Sequence, residues 1–339
     1  MNDLSPKERL DRSLSKQRID RKAIICPGGM MNAAVVDVMK QTGHILPDAH
    51  ADGKLMSLLA ADVSELTGFE NYGLPFCMTV EPEVLGSEID LGSLSCEPKI
   101  AREVYPNVAE VEYRDISTML KDGRIGVISE AVSRLRDLGS EIPVIGTVSG
   151  PVSTAASIVD PMPYLKALRK DPENAHKVMD YVTDFLIAYA ELLIESGADV
   201  IGIADPTATG EILGPKMFAE FAVPYLNRIT DAVHKRNRKL ILHICGDMGP
   251  VKQHIPALRA DAISTDAMVN LKGLKAEEPD LITMGNLSTY MLEFGNPDKV
   301  SARAEVLIRD GIDIIAPACG LSTSTPIANL RAFTDTVKG

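Results

Sequence analysis

Tryptophan is absent from this chain, and all aromatic residues together make up 4% of it. Fourteen methionines suggest an adaptable interior, which carries no functional message of its own. Basic runs are missing beyond the short N-terminal segment: 35 Lys and Arg face 47 Asp and Glu, leaving a formal charge of −12. Nucleic acid and anionic membrane are therefore poor partners for it. No apolar run outgrows strand length before Gly, Asp or Pro breaks it, so no segment is expected to span a bilayer. Cysteine is sparse. Cys26, Cys77, Cys96, Cys245 and Cys319 are odd in number, widely spaced and follow no secretory signal, so reduced thiols in a cytoplasmic protein are expected. No G-x-G-x-x-G or Walker loop follows any apolar run, which removes nucleotide cofactors.

What is present is a rhythm. Short, β-branched apolar runs at 143–148, 200–204, 240–244, 262–264, 281–284 and 312–315 alternate with helical periods, such as the face made by Val178, Val182, Phe185, Leu186 and Tyr189. With a run at 22–26 and one more near the start, the count reaches eight. A single (β/α)₈ TIM barrel over residues 1–339 is the economical account, with an open doubly wound sheet as runner-up. Ser5 and Pro6 open an N-terminal helical extension expected to close the bottom of the barrel. The stretch 69–78 reads as a loop, and residues 80–115, acidic and broken, read as a hairpin excursion.

In such a barrel the active face gathers the carboxyl ends of the strands. His243 and Cys245, two apart at the end of Leu-Ile-Leu-His-Ile-Cys-Gly, point to one side of a strand, and Cys319 ends another in Ala-Pro-Ala-Cys-Gly. One imidazole and two thiols match the three-ligand, one-open-position pattern of catalytic zinc. The competing reading is two buried thiols and a satisfied core histidine. Two thiolates make zinc electron-rich, poorly suited to generating hydroxide and well suited to holding a further thiolate, which points to alkyl transfer onto sulfur. Asp266 is a candidate displaceable fourth ligand or hydrogen-bond acceptor for His243, and Asp205 a candidate catalytic carboxylate or helix N-cap. Gly28 and Gly29, Asn286 and Ser322 stand at strand ends where a cofactor would be met. His44, His50, His176, His234 and His254 fall away from strand ends and read as surface or capping residues.

The order Leu-His-Ile-Cys-Gly-Asp (242–247), Ile-Ser-Thr-Asp (263–266), Met-Gly-Asn-Leu (284–287) and Ile-Ala-Pro-Ala-Cys-Gly-Leu (315–321) resembles the uroporphyrinogen decarboxylase superfamily. Its zinc-dependent branch of methylcobamide:coenzyme M methyltransferases fits best, and segments such as 39–43, 66–71 and 74–81 extend the similarity over nearly the whole chain. The resemblance implies a TIM barrel in which His243, Cys245 and Cys319 ligate Zn²⁺, with Asp266 the nearest match to a further acidic ligand. It also implies a corrinoid protein carrying methylcobalamin-type methylcobamide as donor, and a small-molecule acceptor, either a thiol such as coenzyme M or tetrahydrofolate. True decarboxylases of the superfamily hold propionates with arginines near the N-terminus, and the turn at 26–32 has none. A metal-free decarboxylase and a non-catalytic corrinoid-binding component are the alternatives.

Overall fold

In the computed structural model, which describes residues 3–139 and 141–339, eight parallel strands form one curled sheet. They are β1 (Ala23–Ile24), β2 (Tyr72–Leu74), β3 (Val144–Ser149), β4 (Val200–Ala204), β5 (Lys239–Ile244), β6 (Ala262–Thr265), β7 (Thr283–Leu287) and β8 (Ile314–Pro317). Their order around the sheet is β1-β8-β7-β6-β5-β4-β3-β2. This is the expected TIM barrel, with β1 and β2 meeting at its seam. There Glu70 N–H donates to the Ile24 carbonyl at 2.9 Å. The Asn71 side chain then bonds both ways with the Cys26 backbone, accepting from its N–H at 2.8 Å and donating to its carbonyl at 2.9 Å.

Strand periodicity sorts the side chains. On β5, Leu240, Leu242 and Ile244 pack outward with the surrounding helices. Ile241 instead joins Ile145, Val200, Ala262, Ile282 and Ile314 in a separate cluster that fills the barrel. Leu10 and Leu14 belong to that inner cluster. The helix Pro6–Leu14, started by a Ser5–Glu8 capping box, thus plugs the amino-terminal end of the barrel as the sequence predicts. Buried Arg9 locks it in place through Asp20 and Glu70.

One sequence expectation changes and another holds. The stretch read as a loop at 69–78 contains β2, hidden because the strand is three residues long and has Gly73 at its centre. A Cβ there would sit 2.5 Å from the Pro27 carbonyl oxygen, so close approach of β1 and β2 demands glycine and erases the apolar pattern. The excursion at 80–115 does hold an antiparallel hairpin, Glu88–Asp90 with Lys99–Arg102, after a short helix Val80–Val84. Among the described residues, no helix is long and apolar enough to cross a membrane.

Candidate metal centre

The inward alternation that places Ile241 inside the barrel also turns His243 and Cys245 toward the carboxyl-end mouth. Gly246, at φ 69°, then lets the chain leave the strand. His243 Nε2 lies 3.0 Å from Cys245 Sγ, and Cys245 Sγ lies 2.9 Å from Cys319 Sγ. All three donor atoms fall within 4.8 Å of one another, and among the described residues they form the one such cluster of metal-ligating side chains. His243 is buried at 2% exposure, while both thiols are half-buried and reach the mouth. The sulfurs are free thiols, well beyond the ~2.05 Å of a disulfide. The hydrogen bond from the Cys245 thiol, with the His243 ring beside it, brings Cys319 down to about 5. The same shared proton and burial push Cys245 up.

His243 Nδ1 meets Ser264 Oγ at 2.9 Å. Asp266 therefore does not serve as the acceptor expected for His243. The residue of β6 in register with His243 is Ser264, so the hydroxyl faces the imidazole and Asp266 lies beyond the strand end. Asp266 is half-buried there, close enough for its charge to raise Cys245. Its Oδ1 accepts from Met268 N–H at 3.2 Å. Ser264 carried a signal in the sequence, being two residues past inward Ala262, but a lone serine in a strand draws no notice.

Asp205, read from sequence as a catalytic carboxylate or helix N-cap, has structural partners. The side chain is fully buried and accepts from the N–H groups of Val152 at 3.1 Å and Ser153 at 2.8 Å, and from Ser153 Oγ at 2.6 Å. It satisfies the amino end of the neighbouring helix Pro151–Ile158, not of its own. Burial pushes its carboxyl up to about 6.

The four residues expected to meet a cofactor have structural partners on the rim. Gly28 lies where a Cβ would strike Leu74 N at 2.6 Å, and one on Gly29 would strike Thr147 Cγ2 at 2.6 Å. Asn286 Nδ2 donates to the carbonyls of Asp266 at 2.8 Å and Val269 at 2.9 Å. Ser322 Oγ donates to Glu293 at 2.8 Å.

His50 departs from the surface role expected of it. It is fully buried, neither ring nitrogen has a partner, and burial beside Arg124 lowers it to about 4, so the ring is neutral. Glu97, which carries no signal in the local sequence, arrives at the mouth in the turn of the hairpin. Asn32 Nδ2 donates to it at 3.4 Å, and Thr323 Oγ1 fastens the same turn through the Ser95 carbonyl at 3.0 Å. Glu97 is exposed, yet the protein crowding its carboxyl, with Cys319 adding negative charge, pushes its pKa up.

The chain matches the uroporphyrinogen decarboxylase (URO-D) family over residues 5–339 and belongs to it. Within that family it is 33% identical to the methylcobamide:CoM methyltransferase MtbA of Methanosarcina acetivorans, across 100% of this chain and 99% of the relative. It is 31% identical to the methylcobamide:CoM methyltransferase MtaA of Methanosarcina barkeri, across 98% and 97%. A solved methyltransferase from Methanosarcina mazei superposes with a TM-score of 0.92 at 30% identity, covering 99% of both chains.

Proposed function

We propose that this chain is a zinc-dependent methyltransferase that moves a methyl group from a protein-borne methylcobamide to a thiol. The observation that carries the reading is the convergence of His243, Cys245 and Cys319 at the barrel mouth. One borderline and two soft donors, with the imidazole's second nitrogen already engaged, fit zinc better than magnesium or calcium. The set leaves room for a further ligand. When bound there, zinc would accept an incoming thiol and let it lose its proton near neutral pH while it stays nucleophilic. The chain's own residues do the rest. Ser264 fixes the His243 ring, and the strand ends hold the two sulfurs on one side of it. Asp266, within electrostatic reach of Cys245, is assigned the displaceable further ligand.

Coenzyme M, a thiol, is the acceptor in the relatives' names, and the thiol reading is the one we carry to this chain in preference to tetrahydrofolate. A decarboxylase reading lacks cationic partners for a carboxylate-rich substrate. The turn at 26–32 has no arginine, and buried Arg124 is committed to Glu83, Cys77 and Thr79. The test is anaerobic visible spectroscopy of the zinc-loaded protein with methylcobalamin and coenzyme M. The methyl-Co(III) bands should give way to those of Co(I), and Cys319→Ser should abolish the change. A zinc-replete protein that leaves methylcobalamin intact with coenzyme M and with other thiols would overturn the proposal.

A further inference from the structure

The hairpin after β2 is folded tightly at its tip. Ser93 and Cys96 bond to each other in both directions, at 2.9 and 3.2 Å. Gly92, at φ 74°, lies where a Cβ would strike the Cys96 carbonyl oxygen at 2.1 Å, so only glycine fits the turn. This tip is fastened to the Cys319 loop on two sides. On one, Thr323 Oγ1 donates to the Ser95 carbonyl at 3.0 Å. On the other, Asn32 Nδ2 donates to Glu97 Oε1 at 3.4 Å and to the Gly29 carbonyl at 3.1 Å. The turn that carries Asn32 is packed so closely on Gly320 that a Cβ there would meet the Met30 carbonyl oxygen at 2.8 Å. Glu97 is thus set beside Cys319 by backbone with little room to move, close enough for the two charges to act on each other.

Among the described residues no cation pairs with Glu97. β5 and β6 end at Ile244 and Thr265, and the first Lys or Arg after each are Lys252 and Lys272. After every other strand the first one stands further on. Lys252 is paired with Glu277, and Lys272 with Asp310 at 2.9 Å, ahead of β8 and toward the amino end of the barrel. On the hairpin itself, Lys99 and Arg102 face Asp90 and Glu88 across the ladder. The other carboxylate within electrostatic reach of the sulfurs, Asp266, has the same sign. A charge held at a fixed place on the wall of a site discriminates between ligands by repelling one sign and attracting the other.

Resting on the function proposed above, we infer that Glu97 selects the acceptor thiol by charge, favouring a thiol whose other end is neutral or cationic over one that ends in an anion. With its sulfur at the centre, a two-carbon thiol places its other end on the rim where Glu97 stands. The sulfonate of coenzyme M meets a carboxylate there and no free cation, so its binding rests on the sulfur alone. An ammonium or a hydroxyl meets an acceptor for its proton.

The experiment uses three thiols of one length, coenzyme M, 2-mercaptoethanol and 2-mercaptoethylamine, whose far ends are anionic, neutral and cationic. Their affinities for the zinc-loaded protein are measured by calorimetry without a methyl donor, and their KM values with methylcobalamin as donor. Glu97→Gln should tighten coenzyme M about fivefold, leave 2-mercaptoethanol within about twofold and weaken 2-mercaptoethylamine about fivefold, as expected for the loss of one partly screened charge. Glu97→Lys should widen both changes, and added salt should shrink them. Each thiol is compared with itself, so differences in thiol basicity cancel. Equal shifts for all three thiols would mark Glu97 as a support of the hairpin and overturn the assignment, as would no shift for any of them. Coenzyme M binding the unsubstituted protein more tightly than 2-mercaptoethanol would overturn it too. In those cases methyl transfer to the thiols leaves the proposed function standing. A zinc-loaded protein that demethylates methylcobalamin with none of the three would overturn that function and this assignment with it.

Discussion

Ser264 sets how His243 presents itself to a metal. With Nδ1 held at 2.9 Å, the ring's Nε2 is the atom left facing the two sulfurs. Removing such an orienting partner lowers metal affinity about 10- to 100-fold. Ser264→Ala should therefore bind zinc about that much more weakly in a chelator competition while unfolding at nearly the same temperature. Equal affinity would show that the ring is oriented by other means. His50 makes a pH prediction. Its folded value of about 4 lies below its ordinary 6.5, so the unfolded chain binds more protons between these limits. Stability is fully present above pH 6.5 and drains away as pH falls toward 4, by an amount on the order of 3 kcal/mol. His50→Leu should flatten that part of the acid-unfolding profile, and an unchanged profile would contradict the assignment. Both residues escaped the sequence reading for one reason: burial and register decide their roles, and neither is visible in a lone Ser or His.

At the scale of elements, the seam between β1 and β2 depends on a side chain. Asn71 donates to and accepts from the Cys26 backbone, so Asn71→Leu leaves a buried N–H and a buried carbonyl unpaired. The loss expected is about 2–4 kcal/mol, from two unsatisfied groups at roughly 1–2 kcal/mol each. It should appear as a lower denaturant midpoint and faster amide exchange at Cys26, and a midpoint equal to that of the unsubstituted protein would contradict the seam's dependence on Asn71. The strands with strong apolar runs, β3 to β5, were legible from sequence because their outward faces pack against helices along their length. β7 and β8 were legible but begin two residues later than their apolar runs. β2 was not legible, because Gly73 trades side-chain pattern for backbone approach. The hairpin was legible as an excursion. That its turn would bring Glu97 beside Cys319 was not, since nothing local in the chain relates residues so far apart.

At the scale of the whole molecule, the barrel converts a two-residue spacing and one distant cysteine into a single centre. His243 and Cys245 share a face because a strand alternates. Cys319 joins them because β5 and β8 open onto the same mouth with two strands between them. The convergence of His243, Cys245 and Cys319 was therefore legible once the fold was, whereas the helix-end partners of Asp205 were not, because a carboxylate after a strand serves helix ends and loops as readily as chemistry. X-ray absorption at the zinc edge, on protein loaded with one equivalent of zinc, tests the centre most directly. The expected result is two sulfurs and one imidazole nitrogen with a lighter fourth neighbour, becoming three sulfurs when coenzyme M is added. A zinc shell that holds fewer than two sulfurs, or that gains none when the thiol is added, would contradict it.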